Sequence, residues 1–329
     1  MGKVCNLFHL RKVEGDYGIE IEVEGRHLPM ADGDWWVSHQ DGSLRGEYPH
    51  ESHEYVLNQP IKFGDVQEAL TVLNKRFEAN GSVLNFSFRT SVHVHRNVTE
   101  FDEVQLLNLI YLYALLENPL VNFCGENRKD NRFCLRVMDA DGILDIISPL
   151  FLHGVGELGN YPEDRIRYAA LNLASVRKYG SVEFRAMRGT ADIGTLMTWV
   201  SFIETMSNYA RRPKMTPVKI REKFKELSAK DFIVEVMGEE LAASLVYESM
   251  EFEMNLAHSL TIDLPFFFQR SAYAVNKDER KKAVRKVEPM PLNEAPRADR
   301  LFQQFLAERP PVMFHDELVN QPVAAAAFR

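Results

Sequence analysis

The stretch Tyr17 to Gly25 reads Y-G-I-E-I-E-V-E-G, and it constrains the fold more than any other part of the chain. Ile19, Ile21 and Val23 alternate with Glu20, Glu22 and Glu24. A period of two belongs to a β-strand, so the pattern predicts a half-buried strand with β-branched side chains on one face and carboxylates on the other. Alternation of this kind most often means the solvated outer face of an antiparallel sheet. Glutamate is nevertheless a poor strand former, and like charges gathered on one face repel. A hard cation bound through carboxylate oxygens would relieve that repulsion, which makes the strand a candidate ligand set as well as a structural unit.

Other segments repeat the pattern. Val83 to Val98 reads as strand, and within Ser91-Val92-His93-Val94-His95 both imidazoles fall on one face, where alternate residues can converge on one ion. Ser181 to Met187 alternates again, with Glu183 and Arg185 opposite Val182, Phe184 and Ala186. The plain alternatives are a polar outer face for the histidines and a weak surface ion pair for Glu183 and Arg185. Glu54 opens a shorter β-prone stretch closed by Pro60. A curved antiparallel sheet with these faces turned inward would line a funnel with carboxylates, imidazoles and a guanidinium, a set suited to magnesium phosphate chemistry.

Helical spacing falls between the strands: Phe63 to Asn80, Phe101 to Leu116, Thr190 to Tyr209, Val218 to Leu227 and Glu239 to Tyr247. A further helix is expected over Arg165 to Tyr179, with Asp164 at its start and Gly180 as its stop. Asp41-Gly42-Ser43-Leu44 reads as the turn of a hairpin within Arg26 to Gly46, and Asp141-Gly142 as another turn. The polar segment Phe123 to Cys134 carries Arg128 and Arg132, either solvated charges or anion ligands. Residues 1–275 are expected to form the catalytic domain and 276–329 a basic linker and tail, opened by Arg280-Lys281-Lys282 and Arg285-Lys286.

Composition narrows the functional classes. A chain of 329 residues, 45% of them hydrophobic, can bury a sizeable core. A formal net charge of -8 argues against general affinity for nucleic acid or anionic membranes. No secretory signal is legible, and no uninterrupted apolar stretch is read as long enough to cross a bilayer. The expectation is a soluble, cytoplasmic protein in which Cys5, Cys124 and Cys134 stay reduced.

Taken together the segments resemble the amidoligases, a branch of the glutamine synthetase-like carboxylate-amine ligases that also includes glutamate-cysteine ligase. The resemblance rests on Gly18-Ile-Glu-Ile-Glu22, Asp41-Gly-Ser-Leu44, Glu54-Tyr-Val, His93-Val-His95, Arg128 with Asn131 and Cys134, Arg167-Tyr with Asn172, and Val182-Glu-Phe-Arg185 followed by Gly189-Thr190, in the family's order. It implies an α+β fold in which a curved antiparallel sheet carries helices on its convex face. It implies ATP with Mg2+, or Mn2+ in its place, and the joining of a carboxylate to an amine through an acyl phosphate. By the same analogy Glu20, Glu22, Glu54, Glu183 and His93 would hold metal. His93, His95, Arg128, Arg132 and Asn172 would serve the nucleotide. Arg167 and Arg185, with Glu183, would act in catalysis, the arginines neutralising phosphate or the substrate carboxylate. The implied substrates are small carboxylates and amines, amino acids or peptides among them, and the implied partners are ligases or glutamine amidotransferase-like proteins. Asp32 to Pro49 and Gly125 to Arg132 are the expected lids.

Arg96-Asn97 and Arg188 depart from the family's pattern and are expected to bear on substrate choice. Three rival readings stand beside the ligase. His93, His95 and Glu100 have the spacing of a metal-dependent cupin, although the helix expected from Phe101 replaces the strand a cupin needs. A guanidino-type phosphotransferase on a related fold would make a stable phosphorylated product. A non-catalytic scaffold would keep the sheet without the chemistry.

Overall fold

The computed structural model describes residues 2–33, 35–45, 51–161 and 167–271; the basic run, the tail and the expected cap Asp164 lie outside the described residues. The strands are β1 (Tyr17–Arg26), β2 (Trp36–His39), β3 (Ser52–Leu57), β4 (Val83–Asn85), β5 (Ser91–Asn97), β6 (Leu171–Asn172) and β7 (Ser181–Arg188). The helices are α1 (Val4–Leu7), α2 (Val66–Ala79), α3 (Glu103–Cys124), α4 (Asp141–His153), α5 (Ala174–Tyr179), α6 (Ile193–Ala210), α7 (Pro217–Glu226), α8 (Ala229–Met237), α9 (Glu239–Ala243), α10 (Met250–Leu260) and α11 (Asp263–Arg270).

All strands join one open antiparallel sheet in the order β2-β3-β1-β5-β7-β6, with β4 alongside the end of β1. Gly25 makes that last approach feasible. Its φ is +143°, and a Cβ there would lie 2.0 Å from the Val83 carbonyl oxygen. β1 is central, with Glu22 opposite Glu54 on β3 and Glu20 opposite His93 on β5. On the far side of β5, His95 stands opposite Glu183 of β7. Directly opposed residues share a face, so the register alone places Glu20, Glu22, Glu54, His93, His95 and Glu183, drawn from four strands, on one side.

The other side is the core. Ile19, Ile21, Val23, Val92, Val94, Val182 and Phe184 are at most 1% exposed, each burial worth about 1.5–3 kcal/mol against exposure. Three helices cover this face. Trp36 donates its indole N–H to the Ala69 carbonyl of α2 at 2.8 Å, and Tyr55 meets Phe77 edge-on at 5.1 Å. Tyr113 of α3 packs on Phe184 at 5.5 Å, and Trp199 of α6 on the same ring at 6.5 Å. The architecture is therefore α+β with a single open sheet, as the alternating segments predict.

Several expectations need correction. The first half of the predicted helix Arg165 to Tyr179 is not helical where it is described: Leu171–Asn172 is strand β6, and only Ala174–Tyr179 is helix. Period two prevails because Leu171 is buried in the core while Asn172 lies across from Glu183. Gly180 does end α5, with a left-handed φ of 70°. The predicted strand Val83 to Val98 is interrupted between β4 and β5, where Thr90 N–H turns back to the Ser87 carbonyl. The partner of β2 is β3 rather than a strand inside the expected hairpin, and Asp141 begins helix α4 rather than a turn. α3 runs from Glu103 through Pro119 to Cys124, where a break at the proline is the natural reading. It opens on a reciprocal cap between Asp102 and Gln105, and its burial outweighs the one hydrogen bond Pro119 removes. By length and composition alone this helix could cross a bilayer, although Asn108, Glu117 and Asn118 interrupt its apolar run; 94% of its most apolar window is buried inside the protein.

Candidate active site and metal centre

The polar face of the sheet gathers Glu20, Glu22, Glu54, His93, His95, Glu183 and Arg185. Among the described residues three groups have ligand atoms within 4.8 Å of one another: Glu20, His95 and Glu183; Glu20, Glu54 and His93; and Glu22, Asp41 and Glu54. Glu20 and Glu54 each belong to two groups, so the three form one continuous cluster. Asp41 is the member read from sequence only as a turn residue and a piece of a family motif. It does make the turn, accepting from Ser43 N–H and hydroxyl, both at 2.7 Å. It is also the third corner of the Glu22 and Glu54 group.

The hydrogen bonds around the cluster hold its members in place. The Ser91 N–H and hydroxyl both donate to Glu22 Oε2, at 2.7 and 2.6 Å. With its proton committed to Glu22, the Ser91 oxygen accepts from His93 Nε2 at 2.8 Å. His93 Nδ1 is then left 3.0 Å from Glu20 Oε2 and 3.7 Å from Glu183 Oε1. That contact is attractive only with a proton or a cation between the partners. His95 Nδ1 meets the Ser181 hydroxyl at 3.1 Å, while its Nε2 lies 3.2 Å from Glu20 Oε1, near enough for an ion pair but not aligned as a hydrogen bond. Glu183 pairs with Arg185 and accepts from the Asn172 amide at 2.7 Å. Glu24, on the same face, accepts the Arg45 N–H at 2.9 Å and so anchors the loop that carries Asp41.

The charges are not equivalent. Burial, followed by the neighbouring charges of Glu20, Glu22 and Asp41, pushes Glu54 up to about 8. Burial works in the same sense on Glu20, but its contacts with His93 and His95 outweigh it and hold the carboxyl well below the usual range. Glu183 is also lowered, burial being overcome by His93, Arg185 and His95. For His95 burial disfavours the imidazolium, yet Glu20 and Glu183 raise its pKa. Oxygen-rich groups with imidazole at one end fit magnesium or manganese: the donors are hard, they repel one another when ionised, and the His93–Glu20 contact calls for positive charge between them.

A family model described as "Putative amidoligase enzyme" matches residues 17–207, more than half of the chain. The chain belongs to that amidoligase family. The match begins at β1 and ends within α6, so it contains the whole cluster and the helices behind it. No curated protein matches the chain.

In this member of the family the other residues singled out from sequence fall outside the cluster. Asn172 touches it through Glu183 and bonds back to Ala174 N–H at 2.9 Å, so it positions a ligand rather than facing open space. Arg128 is fully buried and donates to the Ala186 and Arg185 carbonyls at 3.0 and 2.9 Å. It clamps a bulge: Val92 pairs with Met187 but Val94 with Phe184, so Arg185 and Ala186 together stand against His93. Arg132 and Arg167 are exposed and stacked on Phe133 and Tyr168, and no ion pair joins them to the cluster among the described residues. The departures at Arg96 and Arg188 are structural. Arg96 points into the helix side, between Asp16 and Glu204 and over Tyr17. Arg188 donates to the Phe123 and Cys124 carbonyls at the end of α3. Glu100, needed by the cupin reading, pairs at the surface with Lys3 and Lys12.

Proposed function

We propose that the chain is an ATP-dependent carboxylate-amine ligase working with Mg2+ or Mn2+ on a glutamine synthetase-like fold. The observation that carries this reading is the chain of three overlapping acid and acid–imidazole groups on one sheet face, with Arg185 the cation inside it. Phosphoryl transfer asks little covalent chemistry of a protein; it asks for positive charge and exact placement. Glu20, Glu22, Asp41, Glu54, His93 and Glu183 are the residues that would hold divalent cations, which when bound offset the charge of a nucleotide's phosphates. In the first step a substrate carboxylate oxygen attacks the terminal phosphorus and ADP leaves. In the second an amine attacks the acyl carbon, phosphate leaves and the amine loses a proton. Arg185 would meet charge developing on phosphate or acyl oxygen, and its pairing with Glu183, which orients the guanidinium, supports that role.

The test is cation-dependent ADP release over mixed amino acids, peptides and polyamines, with mass spectrometry of the products. A condensed product is expected; a stable phosphorylated product alone would favour the phosphotransferase. Glu22→Gln and Glu183→Gln each remove a charged ligand with little change of volume. Each should abolish turnover while leaving the far-UV spectrum unchanged, and near-normal turnover in both would refute the ligand assignment.

A further inference from the structure

Beside the acid cluster runs a row in which arginines and aromatic rings alternate. The Arg89 guanidinium lies 5.3 Å from the Phe88 ring centre and 5.7 Å from that of Phe133. Arg132 covers Phe133 at 4.8 Å, Phe133 packs edge-on against Tyr168 at 6.1 Å, and Arg167 covers Tyr168 at 4.9 Å. The Asn131 amide ties the row together by donating to the Phe88 carbonyl at 3.1 Å. Elsewhere Arg96, Arg136, Arg185 and Arg212 have carboxylate partners, whereas these three have none among the described residues. Phe88 is 57% exposed and Tyr168 39%, so the row faces solvent with apolar surface between its charges.

One end of the row abuts the cluster. Arg89 donates to the Ser43 carbonyl at 3.2 Å, and Ser43 in turn holds Asp41. Two residues further along the chain, Ser91 holds Glu22. Stacking fixes a guanidinium plane without using its N–H edges, so Arg132 and Arg167, and the edge of Arg89 not given to Ser43, can take a carboxylate bidentately. None of the three touches a member of the acid groups, and Arg185 already serves as the cation inside the cluster. The row therefore suits an anion other than one seated among the metal-ligating groups. A carboxylate substrate approaching Glu20, Glu22, Asp41, Glu54 and Glu183 meets like charge, and cations along its path offset that repulsion.

We propose that Arg89, Arg132 and Arg167, interleaved with Phe88, Phe133 and Tyr168, form a docking strip for a substrate with several carboxylates in succession, an acidic peptide. The strip leads one carboxylate of that chain to the Asp41 end of the cluster, while the rings take the methylenes of its side chains. This rests on the ligase reading for its purpose but not for its test.

The test uses the full chain and fluorescein-labelled hexaglutamate, without nucleotide or divalent cation, read by fluorescence anisotropy. Saturable, salt-sensitive binding is expected, with no binding of labelled hexaglutamine. The triple variant R89Q/R132Q/R167Q should weaken binding by at least roughly tenfold, and the exposed single change R167Q by about twofold or more. Absence of binding to the unaltered protein, or equal binding by the triple variant with its melting temperature unchanged, would overturn the strip. So would a parallel loss of Mg-ATP affinity by calorimetry, which would give the row to the nucleotide. Hexaglutamate binding through the row in a protein with no affinity for Mg-ATP would uphold the strip and defeat the ligase reading.

Discussion

Glu54 stands apart from the acids around it, because among the described residues no histidine or arginine is paired with it and three acids crowd it, their effect and that of burial only partly offset by Arg185. An acid raised from 4.5 to about 8 binds its proton in the folded state when the unfolded chain has lost it. Stability is then fully present below pH about 4.5 and falls as pH rises towards about 8. A divalent cation competes with that proton, so its stabilisation should grow with pH. We expect the rise in melting temperature produced by Mn2+ to be larger at about pH 8 than at about pH 6, and Glu54→Gln to flatten that difference. A shift independent of pH in the unaltered protein would remove Glu54 from the ligand set. The same residue shows what could be seen beforehand. Its type and its place at a strand start were visible, but the neighbours that set its charge come from β1 and from the Asp41 loop, which only the register unites.

Among the elements, β1, β5 and β7 were legible because their two faces differ in chemistry, so period two shows through in each. The bulge between β5 and β7 was not, since it is a mismatch between strands far apart in sequence and leaves no mark in either alone. Arg128 belongs to that bulge. Arg128→Lys keeps a charge but cannot serve both carbonyls, and we expect a loss of about 1–3 kcal/mol in denaturant unfolding together with weaker turnover from a displaced Arg185. α3 escaped its full length because Pro119 is a sound stop signal on exposed helices, and only tertiary burial overrides it. Within α3, burial pushes Glu117 up to about 8 while it accepts the Val137 N–H at 2.7 Å. The sign again follows from a raised acid: its share of stability declines as pH rises from about 4.5 to about 8. Glu117→Gln should make the melting temperature fall less steeply over that window, and an unchanged slope would show that the carboxyl is ionised in the native protein.

At the scale of the molecule, every buried core residue that is described lies between Val4 and Phe268. We expect a chain ended after Val275 to unfold in one cooperative transition and to respond to Mn2+ as the full chain does, checked by calorimetry; a lost transition would place the domain boundary further on. The α+β class was readable from strands and helices in succession, whereas the sheet order, with the first long strand at its centre, depends on pairings no local pattern encodes. Because Glu20 and Glu54 are common to neighbouring groups, a cation held by one group as proposed would draw on the coordination offered to the next. Occupancy would then be interdependent from group to group, and the expected dose response to free divalent cation departs from a simple hyperbola.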